Sequence, residues 1–160
     1  MPLVAEGSSS DSAHRLLAAA KPEVLFAGTA APKGALAGLW LYFSCFEEAH
    51  NVAQDDSSSE GSFWHAILHR QEPDSGNSAY WFRRVGTHSI FPALVDETAA
   101  IIKRHPEAEF RPTTKWDPYG FILFVERARQ QPGSPSEMAA LEIQRAEWQL
   151  LFDYCAKPRR

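Results

Sequence analysis

His65 and His69 are spaced four residues apart, and this spacing makes them candidates for catalytic or metal-binding chemistry. They lie in FWHAILHRQ, whose pattern predicts a helix, and residues four apart on a helix share one face. Two imidazoles on one face can hold a single metal ion. Because histidine titrates near neutral pH, either residue can also act as a general acid or base. Ala66 follows His65, so the chain has no HExxH motif and lacks the usual metalloprotease base.

A solvated position for these two histidines is the alternative interpretation. On a helical wheel they point away from the apolar side chains of the same segment, which are Phe63, Trp64, Ile67 and Leu68. The polar face would then continue into Arg70, Glu72 and Asp74, which supply hydrogen-bonding partners. In that case the histidines need no ligand.

A third histidine, His50, lies three residues after Glu47 in the segment ALAGLWLYFSCFEEAHNVAQ. This pattern predicts one long helix over residues 34–52 and places Glu47 and His50 on its apolar stripe. An acid and a histidine there are costly to bury unless they are paired. Either the helix end emerges into solvent, or Glu47 orients His50 within the core, or the two residues belong to a polar or metal site. A di-iron carboxylate bundle needs a second Glu-x-x-His, which no other histidine provides.

We expect His50 to approach the face formed by His65 and His69, because a histidine on an apolar stripe needs a polar neighbour. The three imidazoles would then be candidate ligands of a divalent metal such as zinc. Glu47 would add an oxygen ligand or hydrogen-bond to one of the ligating side chains.

The segment SAYWFRRV predicts a second short helix, which the turn PDSGN joins to the first. A tight turn can bring the polar faces of two such helices together into a cleft. The guanidinium fork of arginine grips carboxylate or phosphate groups. The sequence therefore predicts a site for a small anionic molecule, with Tyr80 and Trp64 as stacking walls. The predicted ligand-binding residues are Asn77, Tyr80, Arg83, Arg84 and Trp64.

The two arginines of this hairpin are adjacent, so they point about 100° apart on a helix and serve different roles. Arg84 shares its face with Tyr80 and Asn77, and we predict that it faces the cleft. Arg83 is predicted to pair with an acid on a neighbouring segment, either Glu72 or Asp74. The alternative is a salt-bridged surface hairpin without a ligand.

Composition limits the partners and the compartment. The chain has 160 residues, of which 44% are hydrophobic and 22% charged, as in an ordinary globular domain. A net charge of −4 argues against nucleic acid, because phosphate binding depends on clustered Lys and Arg. No apolar run reaches the roughly 20 residues of a membrane-spanning helix, and no signal peptide is visible. We expect a cytoplasmic protein without membrane contact, in which Cys45 and Cys155 are buried free thiols.

The overall pattern predicts an all-α fold. Residues 1–11 are rich in Ser and Gly and are expected to form a disordered or loosely ordered tail. Residues 12–160 are expected to form a single α-helical domain, a bundle of about six to eight helices with the polar motif on a short helical hairpin. Ser134 opens a capping box that starts a helix over residues 134–156, which together with residues 34–52 should form the longest helices.

The polar hairpin also resembles a known group of sequences. EGSFWHAILHRQEPDSGNSAYWFRRVGTHSIF, with GLWLYFSCFEEAHNVAQ before it, resembles a family of uncharacterised, mostly bacterial proteins that share an EGSxWHAIxHRxExDxxNxxYWFRRVGxH-like motif. The resemblance covers residues 36–94. It implies a site but no particular reaction, because the family carries no known activity. The residues that match its polar motif are His50, His65, His69, Asn77, Tyr80, Arg83, Arg84 and His88.

Three classes of function fit these residues. The first is an enzyme acting on a small anionic molecule, with His65 or His69 as general acid or base and Arg83 or Arg84 holding the anion. The second is a non-catalytic binder of a ligand or a metal that uses the same cleft. The third is a helical protein–protein interaction module, which includes a homo-oligomer. No G-x-S-x-G elbow, P-loop or dinucleotide fingerprint is present.

Overall fold

The computed structural model describes residues 2–5 and 7–158. Over these residues the chain forms a single all-α domain without strands, as the sequence pattern predicted. The helices number nine in the described part, one more than the upper end of the predicted range, because α2 is a single turn. They are α1 (Asp11–Ala18), α2 (Pro22–Leu25), α3 (Pro32–Tyr42), α4 (Phe46–Gln54), α5 (Ser59–Gln71), α6 (Ser75–Val85), α7 (Phe91–Arg104), α8 (Pro118–Ala128) and α9 (Pro135–Ala156).

The predicted start of the longest helix, α9, is confirmed in atomic detail. Ser134 Oγ accepts a hydrogen bond from the amide of Glu137 at 3.1 Å. The carboxylate of Glu137 reaches back and accepts from the amide of Gly133 at 2.6 Å. Each bond supplies an acceptor to a backbone amide at the start of α9 that the helix itself does not provide.

The prediction of one helix over residues 34–52 is wrong, because the chain breaks between α3 and α4. Ser44 has a φ of 57°, which is the left-handed region. The amide of Cys45 bonds the carbonyl of Trp40 and the amide of Ser44 bonds that of Leu41, which is the pattern of a Schellman cap. Glycine usually occupies this position, and a serine there leaves no sign of the break in an otherwise apolar run.

The core consists of two clusters that share α9. The first cluster is built by α3, α4, α5 and α6 against the C-terminal half of α9. The second is built by α7 and α8 against the N-terminal half of α9. Both cysteines are buried free thiols, as predicted, and burial raises the pKa of Cys155 to about 12. No helix in the described ranges is long and apolar enough to cross a membrane.

Residues 2–5 of the predicted N-terminal tail pack against the domain. Leu3 is only 5% exposed and belongs to the second core cluster. The carbonyl of Pro2 accepts from the side-chain amides of Gln71 and Gln144 at 3.0 and 2.6 Å. Residues 1 and 6 of the predicted tail lie outside the described residues.

Candidate functional site

A group of three histidines forms where α4 packs against α5. His65 and His69 lie one turn apart on α5, and His50 reaches them from α4. One nitrogen of each ring lies within 4.8 Å of a nitrogen of the other two. The expected approach of His50 to the other two histidines is therefore confirmed, although the break after Tyr42 means that a separate helix, rather than one long helix, carries His50.

Aromatic packing fixes the three rings in a definite arrangement. The imidazole of His65 stacks on the indole of Trp81 from α6, with ring centroids 3.9 Å apart and an interplanar angle of 14°. The ring of His69 stacks against that of His65 at 4.9 Å and 9°. The ring of His50 stands edge-on to both, at 83° and 90°. Trp81 was not among the side chains that the sequence predicted for the site.

His65 is the buried member of the group, with 1% of its surface exposed. Burial, together with the neighbouring His50 and His69, lowers its pKa to about 4. His65 is therefore neutral at pH 7, and a neutral imidazole has a lone pair that can bind a metal. Its Nε2 lies 2.9 Å from Nε2 of His50. Its Nδ1 is buried and has no hydrogen-bond partner among the described residues.

Glu72 lies beside the third histidine of the group. Its Oε2 lies 2.8 Å from Nδ1 of His69, at ion-pair distance, and the His69 side chain is 12% exposed. A carboxylate beside one ring nitrogen is the usual partner of a metal-ligating histidine, because it fixes the ring and makes the other nitrogen more basic. This position leaves Nε2 of His69 as the ligand atom.

Glu47, which the sequence suggested as an added oxygen ligand, is exposed on α4. The ligand group that the structure brings together contains His50, His65 and His69 and does not include it. The end of the α3 helix at Tyr42 explains the difference. The helical wheel that put Glu47 on an apolar stripe ran through residues that do not belong to one helix.

The hairpin side chains predicted to hold an anion have separate surroundings. Trp64 is fully buried and packs on α3, where a Cβ added at Gly38 would lie 2.8 Å from its ring. Asn77 donates to the Asp74 carboxylate at 2.7 Å, at the start of α6. Tyr80 is 45% exposed.

The two arginines of the hairpin differ in what they contact. The guanidinium of Arg84 lies over the ring of Trp81, 5.2 Å from its centroid, so it adjoins the indole on which His65 stacks. The guanidinium of Arg83 lies over Tyr80 at 5.9 Å. Glu72 and Asp74 have other roles, since Glu72 lies beside His69 and Asp74 caps α6.

The most deeply buried charged residue of α5, Arg70, has a role that the sequence reading missed. Its guanidinium donates to both carboxylate oxygens of Glu147 on α9, and neither side chain is exposed. Its Nε donates to Oε1 of Gln144 at 3.3 Å. The signal was present in α9, where Ile143, Glu147 and Leu151 recur at helical spacing and put a carboxylate on the buried face.

Comparisons with protein-family models, with curated proteins and with solved structures give no match to this chain.

Proposed function

We propose that this protein binds a divalent transition-metal ion, with zinc as the first candidate, through His50, His65 and His69. The observation that carries the proposal is the convergence of three imidazole nitrogens within 4.8 Å. Burial of His65 without a partner for its Nδ1 is costly, and neutrality at pH 7 leaves its other nitrogen ready to bind a cation.

The three rings must move for zinc to bind, because their nitrogens lie as much as 4.8 Å apart and the rings of His65 and His69 are stacked nearly parallel. Zinc–imidazole bonds of about 2.0–2.1 Å in a tetrahedral site place ligand nitrogens about 3.4 Å apart. The Nε2 atoms of His65 and His50 are 2.9 Å apart, so the rings must separate slightly to admit the ion. Glu72 lies beside His69 at ion-pair distance, where a carboxylate is often found next to a metal-ligating histidine.

Three protein ligands leave a fourth position on a tetrahedral ion for water or a small anion. Arg84 lies over the Trp81 indole on which His65 stacks. We propose phosphate or a small carboxylate as the second ligand. This second ligand rests on the placement of Arg84 beside Trp81 and on the match between the planar guanidinium fork and the oxygens of carboxylate or phosphate.

A second candidate function is proton transfer, in which His65 and His50 act as a general acid–base pair. The observation that favours it is the short contact between their Nε2 atoms at 2.9 Å, across which one ring must donate a proton to the other. His50 is partly exposed and His65 is buried, so His50 would exchange the proton with a substrate. This mechanism needs no metal.

Calorimetric titration of zinc into protein prepared without a histidine tag tests the metal site. We expect one ion per chain, and about 100-fold weaker binding in His69→Gln, because removing one of three ligands removes a large part of the binding energy. The matched control is His105→Gln, since His105 is partly buried and pairs with Glu142 away from the group. Equal affinities for the two variants would rule out the site, and an absence of zinc binding by the native protein would favour proton transfer.

A further inference from the structure

We infer a second ligand site, for a small organic acid with an apolar body, in a cavity away from the three histidines. The cavity has a volume of about 600 Å³, which is the size of a small-molecule pocket. It lies between the loop after α6, the first turns of α7 and the loop before α8. Its walls are formed by Gly86, Thr87, His88, Phe91, Pro92, Val95 and residues 113–119.

The interior of this cavity is mainly apolar. Phe91 and Val95 project from α7, and Trp116 faces them from the loop before α8. His88 adds an imidazole ring to the wall. Its Nδ1 accepts from the amide of Ile90 at 3.4 Å, whereas its buried Nε2 lies 3.5 Å from the carboxylate of Glu60 and forms no hydrogen bond among the described residues. The wall therefore favours a hydrophobic ring or chain.

Lys115 gives the cavity a preference for an acid. It is exposed, lines the cavity and, in the described part of the chain, forms no ion pair. The neighbouring Trp116 is only 9% exposed, and it adds apolar wall, because its indole nitrogen is closed off from solvent. An ammonium group beside an apolar cavity suits a carboxylate on an apolar body.

Asp117 does not cancel this preference, although it also lines the cavity. Its Oδ1 accepts from the amides of Tyr119 and Gly120 at 3.1 and 3.0 Å. The carboxylate is therefore directed to the N-terminus of α8, where the helix dipole balances its charge. None of the three histidines lines the cavity, so this inference does not depend on the proposed metal site.

The experiment is a calorimetric comparison of 2-naphthoate with 2-naphthamide, its uncharged analogue. We expect native protein to bind one naphthoate, about tenfold more tightly than naphthamide, because a charge-assisted contact adds to the shared apolar one. Lys115→Gln should make the two affinities equal. Lys103→Gln is the matched control, since Lys103 is exposed on α7 outside the cavity, and it should keep the tenfold preference.

Two variants test the position of the site. Val95→Trp fills the cavity and should weaken naphthoate binding at least tenfold. Because Val95 is partly buried and a large side chain there can impair folding, Thr114→Trp, at an exposed lining position, provides the same test at the rim. Unchanged binding in folded Thr114→Trp and Val95→Trp would overturn the inference. Equal effects of the two lysine variants would overturn the proposed carboxylate contact, as would equal affinity of native protein for both compounds.

Discussion

The Arg70–Glu147 pair joins α5 to α9 with both charges removed from solvent. Such a pair need not stabilise a fold relative to apolar residues, but the loss of one partner leaves an uncompensated buried charge. We therefore expect Arg70→Met to lower the free energy of unfolding by about 3–5 kcal/mol, measured by urea denaturation at pH 7. Arg70 also covers the ring of Phe121 at 4.6 Å, and methionine keeps part of that packing.

The control for this prediction is the exposed pair Arg104–Glu142, whose side chains are 58% and 41% exposed. Arg104→Met should cost about 0–1 kcal/mol. The double variant Arg70→Met with Glu147→Leu should recover much of the loss, because neither unpaired charge remains. A similar small loss at both sites would show that water reaches Arg70.

The contact between Glu60 and His88 predicts a specific pH dependence. The neighbouring His88 imidazole lowers the pKa of Glu60, more strongly than burial raises it. A carboxyl whose pKa is lower in the folded chain contributes stability above its ordinary value of 4.5. That contribution is lost as pH falls through 4.5 and then through the lower folded value.

Glu60→Gln should therefore cost about 1 kcal/mol at neutral pH and nearly nothing in acid. Urea denaturation from about pH 7 to pH 3 measures the difference in the free energy of unfolding between the native protein and the variant. Glu107→Gln, at an exposed position after α7, should leave the pH profile unchanged. A constant difference between native protein and Glu60→Gln over this range would contradict the assigned cause.

The candidate site was partly predictable from single residues. The convergence of His50 with His65 and His69 followed from spacing and from the cost of an unpaired polar group. The sequence could not show that Trp81 would stack on His65, because an aromatic side chain on the apolar face of a helix can pack equally well against many different neighbours. The position of Trp64 in the core depends on the close approach that Gly38 allows, which is a tertiary contact.

At the scale of helices, Ser44 is the position where sequence and conformation disagree. Its φ of 57° is unfavourable for a residue with a Cβ, and glycine removes this cost. We expect Ser44→Gly to raise the free energy of unfolding by about 0.5–1 kcal/mol. The gain is smaller than the backbone strain that glycine relieves, because glycine also adds conformational freedom to the unfolded chain. Thermal and urea denaturation both measure it.

The control for this element is Ala100→Gly, in the exposed middle of α7, which should cost about 1 kcal/mol. A gain in stability for Ser44→Gly together with a loss for Ala100→Gly would identify the Schellman cap as the reason that α3 ends at Tyr42. A loss at both would mean that Ser44 contributes a contact beyond its backbone conformation.

The helix boundaries that could be predicted were those marked by chemistry on the chain. Ser134 caps α9 as predicted, and Asp117 and Asp74 cap α8 and α6 in the same way, because a side-chain oxygen before a helix satisfies free amides. The break at Ser44 had no such mark. The start of α5 at Ser59 could not be predicted either, because its capping residue, Ser58, lies within a polar run that is typical of a loop.

At the scale of the whole molecule, the N-terminal residues complete the second core cluster. Leu3→Ala should lower the free energy of unfolding by about 2–3 kcal/mol, because it removes buried apolar surface and leaves a cavity. Leu16, which is 75% exposed on α1, gives the matched control, and Leu16→Ala should change stability by less than about 0.5 kcal/mol. Equal small effects would mean that residues 2–5 behave in solution as the loose tail predicted from their composition.

The Arg70–Glu147 contact spans 77 residues of sequence, and this separation has a consequence for synthesis. A growing chain exposes α5 and α6 well before α9 leaves the ribosome. Until then the Arg70 guanidinium has no carboxylate to accept its hydrogen bonds and must stay in water. We therefore expect the α5–α6 hairpin to form early from its own contacts, and the burial of its inner face to wait for the last helix translated.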